Sequence, residues 1–183
     1  MAPTKTSAHT RDNPTGGDLQ GEATLTMPSP LGTLTLHATD HAVIGLEIGH
    51  ASDSGSTPSH ASAPHDLAHP VLEAAKAQLE EYFAGSRHTF DVPVVMQGTP
   101  FQEAVWSALE SIPHGQTASY GELAEAVGRP GAARAVGGAV GANPVPIIVP
   151  CHRVMGSTGK ITGYSGGDGI STKQALLAHE KPH

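Results

Sequence analysis

The sequence predicts a mixed α/β fold of the α+β kind: a sheet-and-helix part followed by a helical part that carries a helix-turn-helix. Three observations predict it. Apolar residues alternate at period two between residues 33 and 48, as half-buried strands require. From Thr99 the apolar period becomes helical, and two capping boxes open the helices. A short helix, a glycine-bearing turn and a second short helix then follow one another.

Residues 1–20 are polar and rich in Thr, Gly and Pro, and are expected to form a disordered tail. An N-terminal α/β domain is expected over 21–98. In "TLTLHA" Leu34 and Leu36 share a face; in "VIGLEI" Ile44, Leu46 and Ile48 do, and "TDH" between them makes a hairpin or meander. The polar stretch 49–68 reads as a flexible loop. "PVLEAAKAQLEEYFAG" then spaces Leu72, Ala75, Leu79 and Phe83 helically, with Pro70 at the start and Gly85 past the end. "HTFDVPVVM" reads as a further strand, Pro93 marking an edge or a strand end.

A second domain is expected over 99–183. "TPFQ" is a capping box with Thr99 as N-cap, Pro100 at N1 and Gln102 at N3; Phe101, Val105, Ala108, Leu109 and Ile112 form the apolar face behind it. "SYGE" repeats the device with Ser119 and Glu122. Leu123, Ala126 and Val127 follow, before Gly128 ends the helix and Pro130 forbids its continuation. In "ARAVGGAVGAN" three glycines weaken a helix by about 1 kcal/mol each relative to alanine, which implies a demand for close backbone approach on that face.

Charge narrows the function classes. The net charge is −7, and all of it lies in residues 1–98, where four basic residues face eleven acids; residues 99–183 are neutral. That is a poor footprint for strong non-specific polyanion binding and leaves a weak or shape-driven DNA contact open. The single cysteine, Cys151, permits no internal disulfide. There is no apolar signal-like segment at the N-terminus and no run of 18 apolar residues, so a reducing interior and no membrane contact are expected.

The chemistry-bearing stretch is "VPIIVPCHRVMG". A lone thiol is more often a small buried hydrophobe, yet Cys151 adjoins His152, an imidazole able to accept its proton through a bridging water. Glu180 in "LLAHEK" is an acid near a helix C-terminus, where it opposes the macrodipole and so implies a partner. Asn143 is open to a plain C-cap role.

"NPVPIIVPCHRVMG", the downstream "GYSGG" and the terminal "LLAHE" closely resemble the O6-alkylguanine-DNA alkyltransferase family, methylated-DNA–protein-cysteine methyltransferases. The resemblance runs nearly continuously over 99–183, through "GTPFQ", "SYGELA" and "AARAVGGAVGANP". It implies a ribonuclease-H-like N-terminal domain and a helical catalytic domain. It makes Cys151 the alkyl acceptor, His152 the water-mediated base, Glu180 the carboxylate behind it, and Asn143 the tie between helix and active-site turn. Arg134 falls on the residue that fills the gap of a flipped nucleotide, with Ala135 and Gly137 on the bare helix face toward DNA. Tyr120 falls on the tyrosine that polarises the guanine ring. Tyr164 and Ser165 fall on the loop over the base pocket, which Val154 and Pro146 also line.

The implied activity is a single-turnover suicide reaction on O6-alkylguanine, with O4-alkylthymine left open as a second substrate, on double-stranded DNA gripped from the minor groove. A monomer without cofactor is expected, placed in the cytoplasm at the nucleoid in a bacterium or in the nucleus of a eukaryote. The stretch between "GG" and "LL" is longer than the family's usual form and no Trp precedes "LL", which bears on the pocket loop. Some relatives hold a structural zinc through N-terminal cysteines; this chain has none there, so no metal is expected, and His50, His60, His65 and His69 read as solvated. Two rivals are a turnover thiol hydrolase and a non-catalytic sensor of alkylated bases; sensors of that kind replace the cysteine.

Overall fold

The computed structural model describes residues 22–50 and 69–181. The expected tail, and the expected 49–68 loop beyond Gly49 and His50, lie outside the described residues. Three strands, β1 (Ala23–Ser29), β2 (Gly32–Ala38) and β3 (Val43–Ile48), form an antiparallel sheet in that order. β1 is an addition to the two strands expected. It lies at the sheet edge and buries only Met27 fully, so its apolar alternation is faint. β3 also departs from expectation. Its register against β2 slips between His37 and Ala38, so that Ala38 pairs with Val43 and His37 with Gly45. The bulge turns Ile44 off the core face, and Val43 and Leu46 are the buried pair.

Helix α1 (Pro70–Phe83) packs on the sheet through Leu72, Ala75, Leu79 and Tyr82; Tyr82, not Phe83, is the fully buried aromatic at its end. Its N-cap is His69, whose Nδ1 accepts from the Leu72 N–H at 3.3 Å. The strand expected over 88–96 does not form. What forms is a bridge in which Val43 N–H donates to Pro93 O and Val95 N–H to Val43 O, each at 2.9 Å. Pro93 has no N–H to extend a ladder, and side chains take the neighbouring backbone groups: Gln78 Oε1 accepts from Asp91 N–H, and Arg87 donates to Thr89 O.

In the second half, α2 (Pro100–Glu110) and α3 (Tyr120–Ala126) each open with the expected capping box, on Thr99 and Ser119. α3 ends at Gly128, in the left-handed region at φ +70°. There Gly128 N–H bonds Glu125 O and Arg129 N–H bonds Ala124 O, the 5→2 and 6→1 pair of a Schellman stop. α4 (Ala133–Gly141) has no side-chain cap. It is held from behind by Trp106 of α2, whose indole N–H donates to Ala139 O at 2.8 Å. Helix α5 (Ile170–His179) closes the chain. Short strands β4 (Ala118–Ser119) and β5 (Val154–Met155) pair in parallel, Ala118 opposite Val154. That pairing sets the start of α3 beside the residues that follow Cys151. One apolar core runs through both halves, from Leu36 and Leu79 to Leu109 and Ile147. Among the described residues no helix is long and apolar enough to cross a membrane.

Candidate active site

Between α4 and Cys151 the chain makes a tight turn. Asn143 closes it: its Nδ2 donates to Val149 O at 2.8 Å, and its Oδ1 accepts from Val145 N–H at 3.0 Å. The helix itself is capped one residue earlier, at Ala142, so Asn143 braces the turn and is not the C-cap. Inside the turn Ile147 sits at φ +73°. A β-branched side chain in that region is strained and persists only where its surroundings enforce it. Here complete burial of Ile147 enforces it. The turn delivers Cys151 onto a single 3-10 turn, Cys151–Arg153.

Cys151 is 6% exposed. Burial raises its thiol above the ordinary value, opposed by hydrogen bonding from Asn143 and Tyr164 and by the charge of Lys173. The Tyr164 hydroxyl is buried and, among the described residues, lacks a well-aligned hydrogen bond; its polar neighbour is that sulfur, and burial with the sulfur's proximity keeps it a phenol. A pocket of about 340 Å³ opens onto the sulfur, lined by Val140, Asn143, Pro146, Tyr164 and Ser165 among others.

His152 is fully buried. Its Nε2 lies 2.8 Å from Glu180 Oε1, while Nδ1 has no hydrogen-bond partner among the described residues. Cys151 and His152 are therefore not joined directly. With Nε2 as the donor, Nδ1 keeps a lone pair and is the basic atom. Burial holds the imidazole below its ordinary value despite the carboxylate, so it is neutral at pH 7.

Glu180, the C-cap of α5, accepts five hydrogen bonds. They come from the Tyr82 hydroxyl, His152, Arg153 Nε and Arg153 Nη2, each at 2.8 Å, and from Gly115 N–H at 3.2 Å. Burial alone would raise this carboxyl, but the hydrogen bonds from His152 and Arg153 and the Arg153 charge outweigh it and hold the group well below the carboxylate range.

Of two further expected residues, Ser165 lines the pocket and Tyr120 does not. Tyr120, first residue of α3, donates to Thr162 O at 3.4 Å, and Lys173 Nζ lies 6.0 Å from its ring centre. Ser165 Oγ donates to Gly141 O at 3.3 Å, tying the pocket loop to the end of α4. Val154 is buried in β5 behind the 3-10 turn and is not among the residues lining the Cys151 pocket, whereas Pro146 is. Arg134 and Ala135 are exposed on α4, and Gly137 is half-buried against the Tyr120 ring. Of the four histidines weighed as ligands, His69 caps α1 and His50 lies 2.8 Å from Asp168; His60 and His65 are outside the described residues.

Family models for the 6-O-methylguanine DNA methyltransferase ribonuclease-like domain and DNA binding domain match residues 24–96 and 100–182. The chain belongs to the 6-O-methylguanine DNA methyltransferase family. A methylated-DNA–protein-cysteine methyltransferase of Mycolicibacterium paratuberculosis is 46% identical over 86% of this chain and 92% of its own. The constitutive enzyme of that name from Bacillus subtilis is 57% identical over 53% of this chain and 59% of its own. Among solved structures, Mycobacterium tuberculosis OGT in complex with DNA superposes with a TM-score of 0.71 at 45% identity, covering 85% of this chain and 91% of that one.

Three residues of this family member's site escape sequence reasoning. Arg153 grips Glu180 with two nitrogens; a basic residue beside the Cys-His pair was the available signal. Lys173, fully buried, donates to Thr162 O at 3.0 Å and so fixes the start of the pocket loop. Its spacing from Leu176 on α5 marks it as inward-facing. Tyr82 reaches Glu180 from the other half of the molecule, and no local pattern announces that.

Proposed function

We propose that this protein repairs DNA by moving the alkyl group from O6 of guanine onto its own Cys151, once per molecule. The observation that carries the reading is the buried Cys151 at a pocket floor beside a neutral imidazole whose other nitrogen is held by Glu180.

The O6 group is out of reach inside a stacked duplex, so the nucleotide must leave the stack, at a cost of a few kcal/mol. Arg134, exposed and without a protein partner among the described residues, suits the vacated space. The small side chains around it, Ala135 and Gly137, suit close approach of α4 to the minor groove, where contacts are mostly to backbone. The Cys151 proton passes to His152 Nδ1 through water, and Glu180 stabilises the imidazolium formed. The thiolate then attacks the alkyl carbon: the S–C bond forms, the C–O6 bond breaks, its electron pair goes to guanine, and the guanine anion takes up one proton, the net equivalent of the one Cys151 gave up. The Tyr120 hydroxyl and the Ser165 N–H are the donors suited to that developing charge. The product is a thioether, stable to ordinary hydrolysis.

The gap between the two family matches supports a division of the chain into an N-terminal domain to residue 98 and a catalytic DNA-binding domain from 99. The protein acts as a monomer at the nucleoid in the cytoplasm of a bacterium; of this reading, its mycobacterial relatives support the bacterial source. The test is intact mass after incubation with excess O6-methylguanine duplex. One methyl-sized increment is expected, lost in Cys151→Ala. Tight binding without an increment indicates a sensor, and product exceeding protein indicates a turnover enzyme; either result overturns the reading.

A further inference from the structure

The pocket at Cys151 has a wall that alkyl transfer as described does not use. Strand β3, of the N-terminal sheet, contributes Leu46, Glu47 and Ile48 to its lining. The strand is fastened to both loops that shape the pocket: Leu46 N–H donates to Pro144 O at 2.9 Å, and Gly167 N–H donates to Ile48 O at 3.1 Å. Of the three side chains, Leu46 is turned into the core and the Glu47 side chain is 76% exposed. Ile48 is half-buried and meets the pocket loop directly. A Cβ added at Gly166 would lie 3.1 Å from its Cδ1, and one at Gly167 would lie 3.0 Å from its Cγ2. Both contacts are tighter than ordinary van der Waals separation, so Ile48 is one of the side chains that hold these positions to glycine, beside Tyr164 at 166 and Thr172 at 167.

We propose that Ile48 is a specificity-determining residue that limits the size of the O6 substituent the pocket can seat beside Cys151. The lining around the sulfur combines polar groups, Asn143, Tyr164 and Ser165, with an apolar set, Val140, Pro146 and Ile48; the apolar set suits an alkyl or arylmethyl group. The sulfur approaches the transferring carbon opposite O6, so the rest of a larger group projects sideways from that carbon into the pocket lining, of which Ile48 is a part. The proposal rests on the reading of Cys151 as the alkyl acceptor.

The test is the single-turnover rate of the full chain on matched duplexes carrying O6-methylguanine or O6-benzylguanine, for wild type, Ile48→Val and Ile48→Ala. The benzyl-to-methyl rate ratio is expected to rise in that order, by about tenfold at Ala, the scale on which removing methylenes changes pocket discrimination. An unchanged ratio, or an equal fall in both rates, overturns the proposal, because Ile48 would then only seat the loop. Ile48→Val removes a single methyl group and carries the test if Ile48→Ala does not fold. No transfer by the wild type on either duplex overturns the activity itself, and is distinguished by that arm.

Discussion

Glu180 is the residue on which the candidate site turns. It is buried among donors from four residues, so its carboxylate is stable only while they hold it. In Glu180→Gln the buried Arg153 guanidinium loses its counter-charge. Breaking such a pair costs about 3–5 kcal/mol, and a large drop in thermal midpoint together with slowed methyl transfer is expected. The pH dependence follows from the same contacts. A carboxyl held below its unfolded value adds stability above a pH of about 4.3 and loses it as pH falls through the folded value. His152, neutral and depressed by burial, acts in the same direction from about pH 6.5 downward. Denaturant midpoints measured across that range should therefore fall toward acid, and Glu180→Gln should flatten the lower part of the curve. At Cys151 the sign is reversed. Burial keeps the sulfur protonated, so without DNA its reaction with iodoacetamide is expected to be slow at neutral pH and to climb above about pH 9.

At the scale of elements, what was legible in the sequence is what depends on near neighbours. Both capping boxes and the Gly128 stop follow from residues three or four apart, and the structure has them where the spacing puts them. Thr99→Ala should cost about 1 kcal/mol, read as a shift in denaturant midpoint at unchanged slope. What was not legible depends on distant chain. The β3 bulge answers to the pairing with β2, the missing strand at 88–96 answers to Gln78 and Arg87, and β1 as an edge strand has little pattern to show. The candidate site divides the same way: Cys151, His152 and Glu180 could be named from motif and position, but not the Tyr82 and Arg153 bonds that hold the carboxylate. Helix α4 carries an expectation of its own. If Arg134 serves extrusion and not chemistry, Arg134→Ala should slow transfer from duplex DNA while leaving reaction with free O6-benzylguanine base near the wild-type rate. Parallel loss on both would refute that role.

Across the whole molecule, the two halves share more than a surface. The Tyr82 hydroxyl of α1 bonds Glu180, Leu46 bonds Pro144, and apolar residues from both halves form one core. They should unfold as one cooperative unit. Trp106 is the only tryptophan and lies in the second half, whereas far-ultraviolet dichroism also weighs the sheet. Coincident transitions by fluorescence and dichroism are expected, and separate ones would show independent units. Cys151, the sole thiol, is buried. Since no other thiol exists in the chain, a colorimetric sulfhydryl assay on denatured protein counts the molecules that have not yet reacted. One mole of thiol per mole of chain means an intact stock, and zero means an exhausted one, so a sample's remaining repair capacity can be assayed without a DNA substrate.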